Sequence, residues 1–366
     1  MPKNLPKSLK IIKNWQNTYL PEYLPDSIEY IQFNYSYNQP LPINLPKSLK
    51  TIEFGNGYDQ LILNDLPESV EFIEFGNAYN QLLPDHLPNS LKSIKFKFRY
   101  NQPLPTNLPN SLEKIEFGYS YDKPLPENLP QSLKQIHFGS NYDQLLSENL
   151  PDSLVNISFC HQYNQPLPKK LPQQLKSLKF GNCFNQPIKY QLPDSIEEIE
   201  FGCYFNQSLD FKFPQSLKIL KLHCKNVENM EIPESLPDSL EELYLYCPYN
   251  KPLPKKLPKS LKILQFSVEF NQPIKGRQMP NSLKHIRLGI KFNQKLPEDL
   301  PDSIEEIILS KSYKRVLPKK LPKSLKEITI GQTNQKRVFG GRYCQFDVFL
   351  CKNKKNMNIK IKNSNW

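Results

Sequence analysis

Glycine is scarce, at 12 residues in 366, and no run of it could cradle a phosphate group. Cysteine is also sparse. The seven present are an odd number without short framework spacings, which excludes a disulfide scaffold and suits a reducing, intracellular compartment. No CxxC or HxxxH spacing occurs, so the sequence offers no basis for a zinc site. Cys203, Cys224 and Cys247 recur at matching places with His223 beside Cys224, and they read as small apolar residues at turns. No apolar run approaches a membrane span, and the segment Met1–Lys10 lacks the apolar core of a secretory signal. No serine or cysteine stands apart with a base and an orienting group. No catalytic residue, cofactor or metal ligand is assigned, and the chain is expected not to be an enzyme.

Proline is plentiful, with 35 residues, and it recurs in register. The surest unit is Leu-Pro-x-Ser-Leu, which appears with small variations in sixteen copies from Leu5 to Leu321. Between Leu24 and Phe213 the copies are spaced by 21 residues every time. A fixed period in this range marks a solenoid, in which each unit is too short to enclose a core and neighbours bury one another. Within a unit, Leu49, Ile52 and Phe54 are apolar at i, i+3 and i+5, and Ile52-Glu53-Phe54 alternates as a strand with one buried face. One short strand per rung in a constant direction predicts a parallel sheet. The i+5 position is phenylalanine in nine successive rungs from Phe33 to Phe201, which predicts an interior aromatic stack. Pro40, Pro42 and Pro46 in a single unit argue against helix in the remainder, so extended, polyproline-like arms and tight turns are expected there. A recurring aromatic-Asn or aromatic-Asp pair, as in Tyr79-Asn80 and Tyr58-Asp59, predicts a turn. Its polar side chain would bond the backbone of its own or the next rung, with the aromatic packed beneath. The serine of Leu-Pro-x-Ser-Leu recurs too often to be a nucleophile and reads as structural.

The pattern Phe-Asn-Gln-Pro-Leu-Pro followed by Leu-Pro-x-Ser-Leu-Lys-x-Ile-x-Phe-Gly resembles FNIP repeats, and Leu-x-x-Ile-x-Phe is similar to the strand signature of leucine-rich repeats. The likeness covers about five sixths of the chain, with Gln where the family name has Ile. It implies a leucine-rich-repeat-like, right-handed β-rich solenoid of about sixteen rungs with little helix. The family is expanded in social amoebae and in giant viruses of amoebae, which makes host-cell cytoplasm the expected location and a host protein the expected partner. Relatives often carry an N-terminal F-box; here the repeats begin at once, so an adaptor lacking its own F-box is the corresponding expectation.

The expected organisation is an N-terminal capping rung over 1–23, the repeat solenoid over 24–335, and a C-terminal cap with a basic tail over 336–366. An irregular rung is expected near 222–236, where the spacing stretches to 23 residues and the aromatic-Asn turn is missing. Ile274–Met279 is one residue longer than usual. Tyr343–Leu350 is read as a last capping strand.

The net charge of +12 is unevenly placed. Residues 311–366 hold 15 Lys+Arg against 2 Asp+Glu, whereas the preceding residues hold 33 against 34. The strand positions between the two buried residues form an outward row that varies while the interior holds. It includes Glu53, Glu74, Lys95, Glu116, His137, Lys179, Glu200, Lys221, Tyr244, Gln265 and Arg287. Its changing sign suits a protein surface better than a polyanion, and this exposed, concave row is the expected protein-binding face. The basic end (Lys319, Lys320, Lys323, Lys336, Arg337, Lys352, Lys354 and Lys355) could instead attract phosphates. The leading expectation is a non-enzymatic protein–protein interaction scaffold. Nucleic-acid binding through 311–366 and ubiquitin-ligase adaptation are the alternatives.

Overall fold

The computed structural model describes residues 5–63, 65–331 and 360–361. The backbone divides into two units, Met1–Gly181 and Asn182–Trp366. The first unit stacks β1 (Ile11–Trp15), β2 (Tyr30–Phe33), β3 (Thr51–Glu53), β4 (Phe72–Glu74), β5 (Ser93–Lys95), β6 (Lys114–Glu116), β7 (Gln135–His137), β8 (Asn156–Ser158) and β9 (Ser177–Lys179). The second stacks β10 (Glu198–Phe201), β11 (Ile219–Leu222), β12 (Glu242–Leu245), β13 (Ile263–Phe266), β14 (His285–Arg287), β15 (Glu306–Ser310), β16 (Glu327–Gly331) and β17 (Lys360–Ile361). Within each unit every strand pairs in parallel with the next. The register follows the sequence period, with Ile52 opposite Ile73 and Ile73 opposite Ile94. This is the predicted β-solenoid with one parallel strand per rung.

Four columns fill the interior. The last leucine of Leu-Pro-x-Ser-Leu is fully buried at Leu49, Leu91, Leu112 and Leu133. Beside it run the isoleucine column and the phenylalanine column, also buried. The fourth column is the turn aromatic, which is 0–1% exposed from Tyr37 through Tyr163. Phe54 stacks on Phe33 and Phe75 at 5.5 and 5.1 Å, and on its own rung's Tyr58 at 4.1 Å. Tyr58 stacks on Tyr37 and Tyr79 at 6.0 Å. Offset stacking at these separations favours aromatic pairs beyond their buried area. Large rings can repeat so tightly because the rungs repeat at the inter-strand spacing of about 4.8 Å, and a tilted ring fills that interval.

Two ladders tie rung to rung outside the strands. The Asn80 Oδ1 accepts the Asn101 backbone N–H at 2.9 Å, and the Asn101 Oδ1 accepts the Asp122 N–H at 2.9 Å. Asp59 and Asp122 serve as acceptors in the same way. The following glutamine joins in, as when Gln144 Nε2 donates to Asp122 Oδ1 at 2.8 Å. Serine makes the second ladder: the Ser132 and Ser153 hydroxyls donate to the carbonyls of Leu112 and Leu133, one rung back, at 2.7 Å. These bonds satisfy turn groups that strand pairing cannot reach.

Three local irregularities interrupt the regular rungs. In β1 the pairing register shifts between Ile12 and Trp15, and Asn14 takes a φ of 54°, the left-handed region that asparagine tolerates. In the stretched rung, Met230 and Ile232 enter the interior, and the Asn229 N–H still reaches Asn206 Oδ1 at 3.3 Å. The longer Ile274–Met279 segment contains one 3-10 turn, Gly276–Gln278. The capping strand expected at Tyr343–Leu350 lies outside the described residues. Among the described residues no helix is long and apolar enough to cross a membrane.

Candidate protein-interaction face

Alternation along each strand turns the residue between the two buried ones outward, so the outward row forms a continuous line within each unit. In the first unit its charges answer one another. The Lys95 ammonium lies 3.2 Å from Glu74 and 3.9 Å from Glu116. Lys97 reaches Glu74 at 2.8 Å, and Lys114 pairs with Glu116. Burial raises the Glu74 carboxyl, but the hydrogen bond from Lys97 and the charges of Lys95 and Lys97 outweigh it and hold the group below its ordinary value. Glu53 accepts a 2.8 Å hydrogen bond from Gln32. His137 Nδ1 lies 2.5 Å from the Ser158 hydroxyl, and burial pushes its pKa down.

In the second unit the row departs from the exposed surface expected. Glu200 is only 7% exposed. Its carboxylate lies 3.1 Å from His223 Nε2 and 3.8 Å from Lys221. Lys221 also donates to Glu198 at 2.8 Å. Burial works against the Lys221 charge, but the hydrogen bond and charge of Glu198, with the charge of Glu200, raise its pKa above the ordinary value. The outward face is therefore partly desolvated, because short strands set side by side leave little room between long side chains. Tyr244 donates to Glu242 at 2.8 Å, and its ring lies 5.6 Å from Tyr246, which stacks on His223 at 4.7 Å. Gln265 and Arg287 continue the row on β13 and β14.

His223 and Tyr246 are outward residues that the reading of the strand pattern missed. They stand one place after the phenylalanine column, where other rungs have Gly55, Gly76, Gly118, Gly139, Gly181 and Gly289. A Cβ at those glycines would sit 0.9–1.9 Å from the preceding rung's carbonyl oxygen. In β11 and β12 the strand runs one residue further than in β3 to β9, and the His223 and Tyr246 N–H groups donate to Phe201 and Leu222. The loss of glycine was the available signal.

A second charge pattern was also overlooked. The residue after the buried leucine alternates in sign over Lys10, Glu29, Lys50, Glu71, Lys92, Glu113 and Lys134. Pairs form at 3.1 Å (Lys10–Glu29), 2.6 Å (Lys92–Glu71) and 3.0 Å (Lys134–Glu113). In the second unit Lys218–Glu197 and Lys262–Glu241 continue it at 2.7 and 2.6 Å.

Cys203, Cys224 and Cys247 hold free thiols. Burial pushes the Cys224 thiol well up and that of Cys247 to about 12, as for packing residues. Among the described residues no three His, Cys, Asp or Glu side chains are grouped to hold a metal ion. At the basic end, the Lys319 and Lys320 N–H groups donate to Glu298, and the Lys323 ammonium pairs with Asp302 at 3.1 Å. Lys336, Arg337, Lys352, Lys354 and Lys355 lie outside the described residues.

Among solved structures the chain is similar to CroV588, a circular leucine-rich-repeat protein of a giant virus, at 35% identity and a TM-score of 0.81. That match covers 90% of this chain and 54% of the other, so the chain spans about half the length of the circular protein. YopM from Yersinia enterocolitica WA-314 is matched at 18% identity and a TM-score of 0.42, over 88% of this chain and 85% of YopM. No curated protein is matched. FNIP repeat matches tile residues 15–57, 58–98, 100–128, 121–161, 163–204, 205–247, 249–291 and 292–333, and the chain belongs to the FNIP repeat family.

Proposed function

We propose that the chain is a non-enzymatic scaffold whose outward strand face receives a protein partner, in the setting of infection a protein of the host-cell cytoplasm. The observation that carries this is the division of labour within each rung. Interior positions repeat with little change, while the outward row varies in residue type and charge along its length and is partly desolvated. Variable, half-buried polar and aromatic residues on an invariant frame are what specific recognition needs. The bonds of the repeated serines to the preceding rung support a structural role for them.

The test reverses the row while keeping its pairs. Glu53→Lys, Glu74→Lys, Lys95→Glu, Lys97→Glu, Lys114→Glu and Glu116→Lys together exchange every sign, so the mutual attractions survive and the fold should too. Affinity purification from amoebal lysate with this variant and with the native chain is then compared. Loss of the proteins held by the native chain supports the face as the binding surface. Identical sets of proteins would remove it from consideration.

A further inference from the structure

The second unit places two rings at the position that Gly55, Gly76, Gly118, Gly139, Gly181 and Gly289 hold in other rungs. His223 and Tyr246 lie on adjacent rungs and stack at 4.7 Å, and Tyr244 extends the platform at 5.6 Å from Tyr246. Tyr246 is 36% exposed. Every carboxylate beside this platform has a partner in its own surface: Glu198 has Lys221, Glu200 has His223, and Glu242 has the Tyr244 hydroxyl. Of the row's cations, Lys95 and Lys221 are likewise paired. Arg287 is different. Its guanidinium makes no ion pair or side-chain hydrogen bond among the described residues, and the neighbouring Glu306 is instead in contact with His285 at 3.2 Å. The register Tyr244, Gln265, Arg287 runs across three consecutive strands. Tyr244 and Arg287 are therefore about 10 Å apart, the reach of roughly three residues of extended chain.

The geometry points to a docking site for an acidic peptide segment of a protein partner, in which the rings of His223, Tyr244 and Tyr246 take its apolar side chains and Arg287 takes a carboxylate. The inference rests on the outward strand face being the binding face and specifies one part of it. An unanswered guanidinium offers a bidentate fork to a carboxylate, and tyrosine with arginine is the pairing that concentrates binding energy at protein interfaces. A phosphate-bearing strand suits the site less well. It carries a charge at every residue and would set phosphates against Glu198, Glu200 and Glu242, whereas a peptide can confine its charge to Arg287.

The probe is a short, end-capped, fluorescein-labelled peptide of leucine and tyrosine with a single glutamate, titrated into the full chain and read by fluorescence anisotropy. Matched peptides carry glutamine or lysine in place of glutamate. Two variants use residues that neighbouring rungs already hold at the same places: Arg287→Gln follows Gln265, and Tyr246→Ser follows Ser267. Both should fold, with melting temperatures close to native. The acidic peptide is expected to bind best, to loosen about tenfold with Arg287→Gln and at least as much with Tyr246→Ser, and to be unaffected by Lys95→Glu in the first unit. The proposal is overturned if the acidic peptide does not bind, if both variants bind it as the native chain does, or if the glutamine or lysine peptide binds as tightly. It is also overturned if a single-stranded oligonucleotide binds more tightly and shows the same two losses. Failure here, with lysate proteins still lost on reversal of the row in the first unit, would sink the peptide site and leave the face reading standing. If that reversal also changes nothing, the face reading itself fails.

Discussion

The Tyr121 hydroxyl sits in the interior without a hydrogen-bond partner among the described residues, whereas the Tyr249 hydroxyl donates to the Pro252 carbonyl at 3.1 Å and accepts from the Ile232 N–H at 3.4 Å. Removing the two oxygens should therefore have opposite consequences. Tyr121→Phe deletes an unsatisfied polar atom and is expected to be neutral or to stabilise by up to about 1 kcal/mol. Tyr249→Phe leaves a buried N–H and a carbonyl unanswered and should cost about 1–3 kcal/mol. Urea unfolding of both variants checks the pair. Phe184, Phe205, Phe270 and Phe292 already fill the same column elsewhere, which shows that the ring is the essential part.

Burial raises the phenol pKa values of Tyr58, Tyr79, Tyr100, Tyr121 and Tyr142. The unfolded chain releases these protons near pH 10, while the folded chain retains them to higher pH. Their contribution is complete below pH 10 and is lost as pH rises beyond it, at about 1.4 kcal/mol per pH unit for each tyrosine. Melting temperatures between pH 9 and 12 should fall steeply, and Tyr121→Phe should lessen the slope by one tyrosine's share. An unchanged slope would mean that this phenol is not held protonated.

Among the elements, the turn ladder has the clearest test. Asn80→Ala removes the acceptor of the Asn101 N–H and leaves that group unpaired, at a cost of about 1–3 kcal/mol. Asn80→Asp keeps the same oxygen, as Asp59 and Asp122 do in their rungs, and should be nearly neutral. Hydrogen exchange reads the local effect: the Asn101 amide should lose protection in the alanine variant only. The strands themselves were legible because burial on one face forces a period of two. The turn acceptors were legible as residue types, but not as a chain of contacts. A side chain that can reach either its own turn or the next is assigned only by the stacking distance. The glycine position shows the same limit. Its replacement at His223 and Tyr246 is plain in the sequence, but only the longer strands β11 and β12 explain how a ring is accommodated there.

For the molecule as a whole, stability in a stacked repeat is close to a sum over rungs and their interfaces. Deleting Leu87–Thr106 together with Asn107 removes one 21-residue period and keeps the register. That variant should remain folded with a lowered melting temperature, whereas deleting about half as much should abolish cooperative melting. The charge columns add a finer expectation. One deleted period sets Glu71 beside Glu113 and Glu74 beside Glu116, while deleting two, Leu87 through Asn128, sets Glu71 beside Lys134. The single deletion should therefore gain more from added salt than the double one, as thermal melts at low and high ionic strength will show. Equal salt responses would mean that the alternating column does not influence register.

The period, the interior columns and the structural serines follow from the sequence alone, because a rung of about 21 residues can bury its apolar positions only against copies of itself. Which charges are answered and which are left over was decided by tertiary structure. Lys95, Lys221 and Arg287 are equivalent as letters in one row, yet among the described residues the first two meet carboxylates and the third does not. Pairing depends on side-chain reach across neighbouring strands, and that is a property of the folded sheet.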